Sequence, residues 1–152
     1  MPKVDLESVE AHNATGYPDP FHKDVAGRWW KRIAPLAGLT QMGASHVVLE
    51  PGAWSSQRHW HDGEDELLIM LSGTAVLVED EGETELVAGD VAAWAEGVAN
   101  GHHLINRSDA PCSFIAISAG PDKGGHYSDI DMKWTEDGKF RRRDGTEYPN
   151  RT

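Results

Sequence analysis

The chain has 152 residues and carries 25 Asp and Glu against 14 Lys and Arg, a formal net charge of -11. An acidic surface repels phosphate, so this balance argues against nucleic-acid binding. The length indicates a single domain, and no apolar run approaches the roughly 18 residues of a membrane span. There is no apolar secretory segment near the start, and the single cysteine, Cys112, excludes an internal disulfide. We therefore expect a soluble, cytoplasmic protein.

The first 27 residues show no apolar periodicity, so we expect an irregular arm with at most one helical turn near Leu6 to Ala11. From residue 28 onward, β-type runs recur about every 8 to 12 residues between turn residues, which is typical of an antiparallel sandwich or barrel. The predicted strands cover residues 28–33, 40–49, 57–61, 66–71, 75–79, 84–87, 91–94, 102–106 and 113–118.

The composition changes again after Gly120, where a polar segment runs to the end of the chain. We expect it to form an extended tail that packs on the barrel or on a partner subunit. The predicted organisation is an arm over residues 1–27, a barrel over 28–120 and a tail over 121–152.

Two segments of the barrel concentrate histidine, the commonest metal ligand. In the first, His59 and His61 lie two apart, so on a strand they project from the same face, and Glu66 opens the following apolar strand. The second, Gly101 to Asn106, contains two adjacent histidines and supplies candidates for a further ligand from a distant strand.

The first segment resembles the first motif of the cupin superfamily. That motif runs Gly, a five-residue spacer, His-X-His, three or four residues, Glu, six residues and Gly. Gly52, His59, His61, Glu66 and Gly73 supply each element, with a spacer of six residues before His59.

The second segment resembles the second cupin motif, which runs Gly, five residues, Pro-X-Gly, two residues, His, three residues and Asn. Gly89 and Gly97 fit, and His102 with Asn106 keeps the last spacing. Ala95 replaces the usual Pro, and two additional residues lie between Gly97 and His102. The resemblance covers about residues 40–119. Residues 101–108 and 126–131 also look similar to segments of a group of small single-domain bacterial cupins.

The resemblance implies an all-β fold, the cupin double-stranded β-helix or jelly-roll barrel, which agrees with the strand spacing. It also implies that one divalent metal is bound inside the barrel by His59, His61, Glu66 and His102. Three neutral imidazoles and one carboxylate suit Mn, Fe, Co, Ni or Zn, and an octahedral ion would keep two positions open.

Two of these ligands have neighbours that compete for the role. Asp65 and Glu64 lie beside Glu66, but only Glu66 preserves the six-residue gap to Gly73. His103 competes with His102. Since adjacent strand residues face opposite ways, only one of the two enters the barrel, and the gap to Asn106 selects His102.

From a metal site with open positions we expect the ligand or substrate to be a small polar or anionic metabolite. The leading hypothesis is an enzyme, with isomerisation of a sugar or sugar acid first and Fe(II)-dependent dioxygenation or lyase chemistry as alternatives. A non-catalytic sensor of a small ligand is the hypothesis of another class, without DNA binding of its own because no helix-turn-helix is present. Gln57 shares the strand face of His59 and His61 and is a candidate for the substrate pocket. Small cupins are frequently dimers, so we also expect a homodimer.

Overall fold

A computed structural model describes residues 3–151 of the chain, and that part is built almost entirely from β-strands. One short 3-10 helix, Leu6–Ser8, precedes them. The strands are β1 (Arg28–Arg32), β2 (Met42–Leu49), β3 (His59–His61), β4 (Asp65–Ser72), β5 (Thr74–Glu79), β6 (Gly82–Val87), β7 (Val91–Trp94), β8 (His103–Ile105), β9 (Cys112–Ala119), β10 (Gly124–Tyr127), β11 (Lys133–Thr135) and β12 (Phe140–Arg141).

The strands form the two facing sheets of a jelly roll. One sheet has the order β1-β2-β9-β4-β7, and all its pairs are antiparallel. The other face is made by β6-β5-β8 and β12-β11-β10-β3. An antiparallel β-bridge joins these two groups of strands: the backbone N–H groups of His59 and His102 each donate to the carbonyl oxygen of the other residue. This architecture confirms the predicted fold class.

The core lies between the two sheets and follows the period-2 alternation of the strands. Every second residue points inward, for example Val47 and Leu49 on β2, and Leu68 and Met70 on β4. These side chains pack against buried residues of the facing sheet, among them Leu77 on β5. Within the part of the chain that is described, no helix has the length and apolar character to span a membrane.

A second buried cluster joins the start of the chain to its end. It contains Tyr17, Val25, Tyr127 and Met132. The hydroxyl of Tyr127 donates to that of Tyr17 at 3.2 Å, which fixes the first segment against β10. The residues before β1 are thus packed onto the strands that follow residue 120.

The segment after Gly120 forms strands that the sequence pattern did not predict. β10 pairs antiparallel with β3, and β11 and β12 extend the same sheet. A Cβ at Gly125 would lie 2.0 Å from the Trp134 side chain, so this position requires glycine. A glycine-rich strand lacks the apolar alternation by which strands are recognised. The boundaries 1–27, 28–120 and 121–152 remain a prediction.

Candidate metal centre

Two strands and one bridging residue bring the predicted ligands together. β3 presents His59 and His61 on one face, as their spacing predicts, and Glu66 stands near the start of β4. His102 immediately precedes β8 and is bridged to His59 through both backbone groups. The fold thereby places at one point residues that are separated by up to 43 positions in the chain.

The ligand atoms of these residues converge. Those of His59, His61 and Glu66 all lie within 4.8 Å of one another. The Nε2 atoms of His59 and His61 are 3.2 Å apart, and His61 Nε2 is 3.1 Å from Glu66 Oε1. His102 joins the group through Glu66, with 2.6 Å between its Nε2 and Glu66 Oε2.

The opposite nitrogen of each ring is held by an acceptor outside the cluster. His59 Nδ1 lies 2.8 Å from the Gln57 carbonyl oxygen, and His102 Nδ1 lies 3.0 Å from that of Asn100. A carbonyl only accepts, so each Nδ1 carries a proton, and Nε2 is the atom that each of these two rings offers to a metal ion. Such outer hydrogen bonds are those that orient histidine ligands in metal sites.

This donor set fits a divalent cation. The Nε2 atoms of His59 and His61 face each other at 3.2 Å, a contact that is favourable only when a proton or a cation lies between them. Three imidazole nitrogens and a carboxylate oxygen are ligands that suit the transition metals from Mn to Zn. The residues of the cluster therefore match the metal that the cupin motifs imply.

The electrostatics of the cluster differ from one residue to the next. Burial lowers the pKa of His59 to about 4, so this ring is neutral at pH 7. Burial also acts to lower the pKa of His61, but hydrogen bonds to Glu64 and Glu66 outweigh it and raise the pKa to about 9. For Glu66, burial acts to raise the pKa, yet the hydrogen bonds from His102 and His61 hold it well below its usual range.

The neighbours that compete with Glu66 take other positions. Glu64 accepts a hydrogen bond from His61 Nδ1 at 3.1 Å, on the far side of that ring. Asp65 accepts the backbone N–H of Glu96 at 2.9 Å. Only the Glu66 carboxylate meets the Nε2 atoms.

His103 takes a position different from that of His102. Its Nδ1 donates to the Ser56 carbonyl oxygen at 2.8 Å, and its ring packs edge-on against Trp54 with centroids 4.7 Å apart. His102 alone of the two meets Glu66.

A cavity of about 530 Å³ opens beside the cluster and has aromatic walls. The Trp94 ring stacks on His102, with centroids 3.8 Å apart and planes 5° from parallel. Trp134 meets His61 edge-on at 4.9 Å between centroids, and Tyr127 lies 5.7 Å from His59. Trp134 and Tyr127 come from the segment after residue 120, and the sequence reasoning missed them. Their only signal was the presence of large aromatic residues in an otherwise polar stretch.

Gln57, expected in the substrate pocket, is placed elsewhere. Its side-chain amide donates to Asp24 Oδ2 at 2.7 Å and to the Phe21 carbonyl oxygen at 3.1 Å, and it does not line the cavity. The peptide bends before β3, so the alternation that puts His59 and His61 on one face does not extend back to Gln57. This side chain holds the first segment of the chain.

Comparison with known proteins identifies the family. The Cupin domain family matches residues 45–118. A structure from Silicibacter pomeroyi, described as a sugar phosphate isomerase from a cupin superfamily, is 41% identical, covers 97% of each chain and has a TM-score of 0.91. This chain belongs to the cupin superfamily. A search of proteins with curated functions finds no match.

More distant cupin-like structures share the fold alone. A structure from Acidithiobacillus ferrooxidans, whose assignment as a sugar phosphate isomerase is provisional, is 18% identical over 82% of this chain and 83% of its own. Its TM-score is 0.68. The polyketide cyclase RemF from Streptomyces resistomycificus is 17% identical over 86% of this chain and 87% of its own, also with a TM-score of 0.68. One cupin architecture thus carries differently named activities, and function has to be argued from the site.

Proposed function

We propose that this cupin is a metal-dependent enzyme that acts on a small polar or anionic metabolite, with isomerisation of a sugar or sugar acid as its reaction. One observation carries the proposal: three imidazoles and one carboxylate converge at the wall of a cavity large enough for such a molecule.

In this proposal His59, His61, Glu66 and His102 hold one divalent ion of Mn, Fe, Co, Ni or Zn. When bound, such an ion supplies Lewis acidity toward a carbonyl or enediol oxygen. The chain orients the ligands through Gln57 and Asn100, whose carbonyls fix two of the rings. The stacked Trp94 and the edge-on Trp134 cover the histidine rings and limit the access of water.

The isomerase hypothesis rests on the similarity to the Silicibacter pomeroyi protein. That protein is 41% identical over nearly the whole of both chains, and we carry its named reaction over to this chain as a hypothesis. A sugar phosphate is therefore included among the substrates to test, beside neutral sugars and sugar acids.

The experiment measures metal content first and turnover second. Purified protein is analysed for bound metal by emission spectrometry, and a panel of aldoses, ketoses, uronic acids and sugar phosphates is then incubated with enzyme and followed by NMR. We expect about one ion per chain and isomerisation that stops when a chelator strips the metal. Oxygen uptake by the Fe(II)-loaded protein would support a dioxygenase instead. Ligand binding without turnover would support a sensor.

Two further expectations accompany this proposal. A homodimer is predicted from the frequency of dimers among small cupins, and light scattering on the eluting protein measures it. A cytoplasmic location is predicted from the sequence, and fractionation of the source cells tests it.

A further inference from the structure

One wall of the cavity carries a guanidinium that has no acidic partner. Arg28 and Trp30 lie on the same face of β1, and both line the cavity. Arg28 Nη1 donates to the Ser55 carbonyl oxygen at 2.7 Å. Among residues 3–151 no carboxylate lies within 4.0 Å of Arg28. Its Nε is buried and makes no hydrogen bond to the described chain.

A half-buried cation without an acidic partner is unfavourable, because the protein interior does not fully replace the water that the charge loses. This burial lowers the pKa of Arg28. Arg32, further along the same face of the strand, also lines the cavity, but it is exposed and lies over the Trp30 ring, 5.2 Å from its centroid. Of the two arginines of this strand, Arg28 is the less exposed, and its buried Nε still has a hydrogen bond to offer.

A second unused donor belongs to Tyr17, which lines the same cavity. Its hydroxyl oxygen accepts two hydrogen bonds, from the Gln57 backbone N–H at 3.3 Å and from the Tyr127 hydroxyl at 3.2 Å. Both lone pairs are then occupied, so its own proton points to a further acceptor, and none is found in the described part of the chain. Tyr17 and Arg28 both contact the short segment before β3, Tyr17 at the Gln57 backbone N–H and Arg28 at the Ser55 carbonyl oxygen, so the two groups lie in the same part of the cavity.

The Tyr17–Arg28 end of the cavity is connected to the candidate metal ligands by aromatic contacts. Tyr17 meets Tyr127 edge-on with centroids 5.7 Å apart, and Tyr127 lies at the same distance from His59. One molecule in the cavity therefore has access to donors on one side and to the metal ligands on the other.

We propose that Arg28 and Tyr17 bind an acidic group of the substrate, a carboxylate or a phosphate, through the Arg28 Nε–H and the Tyr17 O–H. Guanidinium and hydroxyl donors are those that recognise carboxylates and phosphates. The inference rests on the proposed function in taking this cavity as the substrate site. It adds that the substrate is charged and names the residues that select for the charge.

The test compares charged and neutral sugars on the metal-loaded protein by isothermal titration calorimetry. The pairs are fructose 6-phosphate with fructose and galacturonate with galactose. We expect at least one charged member to bind more tightly than its neutral partner, and the successful pair identifies phosphate or carboxylate. We expect Arg28→Met to weaken that member by about 10- to 100-fold and to leave its neutral partner unchanged. Tyr17→Phe, which removes one neutral donor, should weaken it by about 3- to 10-fold.

The control is Lys31→Met, which removes a positive charge from the opposite face of the same strand, where the Lys31 Nζ donates to the Leu6 carbonyl oxygen. We expect it to bind both members as the unsubstituted chain does. If Arg28→Met does not fold, Arg28→Lys is the test variant, since it keeps the charge but not the Nε donor. We expect its affinity for the charged member to fall by about threefold or more and its affinity for the neutral member to stay unchanged.

Equal binding of charged and neutral members by the unsubstituted protein would overturn the inference, as would Arg28 and Lys31 variants that behave alike. If metal is bound and sugars turn over while Arg28→Met binds normally, only this inference fails. If no metal is bound but charged sugars still bind through Arg28, only the proposed function fails.

Discussion

His102 Nε2 and Glu66 Oε2 lie 2.6 Å apart, although 36 positions separate the two residues in the chain. Glu66 meets His61 through its other oxygen, so one carboxylate connects the histidines of two motifs. Replacement of any predicted ligand should therefore disturb the same centre.

The first prediction concerns the ligand set. We expect His59→Ala, His61→Ala, Glu66→Ala and His102→Ala each to abolish stoichiometric metal. Loss of a ligand should weaken binding by more than the roughly 10- to 100-fold that loss of an outer hydrogen-bonding partner costs. Emission spectrometry of the purified variants measures this. His126→Ala is the control, since His126 lies on the strand next to β3 but contacts Asp62 and the Trp60 ring. Full metal content in the His102 variant would remove that residue from the site.

The second prediction concerns pH. Without metal the pKa of His61 is about 9, so at pH 7 the ring is protonated, and a metal ion has to displace that proton. We expect binding at pH 7 to release about one proton and the apparent affinity to fall about tenfold for each pH unit below 9. Calorimetry in buffers of different ionisation enthalpy measures the proton count.

Glu64→Gln provides the matched comparison, because the Glu64 carboxylate helps to raise the pKa of His61. This variant should release fewer protons and show a shallower dependence on pH. Affinity that stays constant between pH 6 and 8 in the unsubstituted chain would contradict the assignment of His61 as a ligand.

The third prediction separates a structural from a substrate-binding role for Gln57. Gln57→Ala removes the two hydrogen bonds that the buried Gln57 side chain donates to Asp24 and to the Phe21 carbonyl oxygen. We expect the free energy of unfolding to fall by about 1–3 kcal/mol while metal content stays the same. Denaturant titration and metal analysis measure the two quantities. A raised KM with unchanged stability would instead place Gln57 in the substrate pocket.

The fourth prediction concerns the strand that closes the sheet beside β3. In Gly125→Ala, the new Cβ would lie 2.0 Å from the Trp134 ring and 2.4 Å from the Trp60 carbonyl oxygen. Because backbone has to move, we expect a loss of about 1–3 kcal/mol or more in the free energy of unfolding. In the control Gly43→Ala, the Cβ would approach the rotatable Ser118 hydroxyl, and we expect a loss below about 1 kcal/mol. Equal losses in the two variants would show that the Trp134 contact is unimportant.

The sequence by itself determined the fold class and the spacing of the candidate ligands. Each of the nine predicted strand runs overlaps a strand of the structure, because alternation of apolar residues between turn residues is a local signal. The two-residue spacing of His59 and His61 likewise fixes a shared strand face without reference to the rest of the chain.

Only the tertiary structure decided which groups surround those ligands. The pairing of β10 with β3 brings Tyr127 and Trp134 to the histidines, and no local pattern encodes a pairing between strands more than 60 residues apart. The same holds for Arg28. In the sequence it looks like an ordinary surface cation, whereas in the structure β1 forms one wall of the cavity and Arg28 lines it. Burial, and the pKa shifts that follow from it, depend on contacts across the whole chain, so residue spacing alone does not predict them.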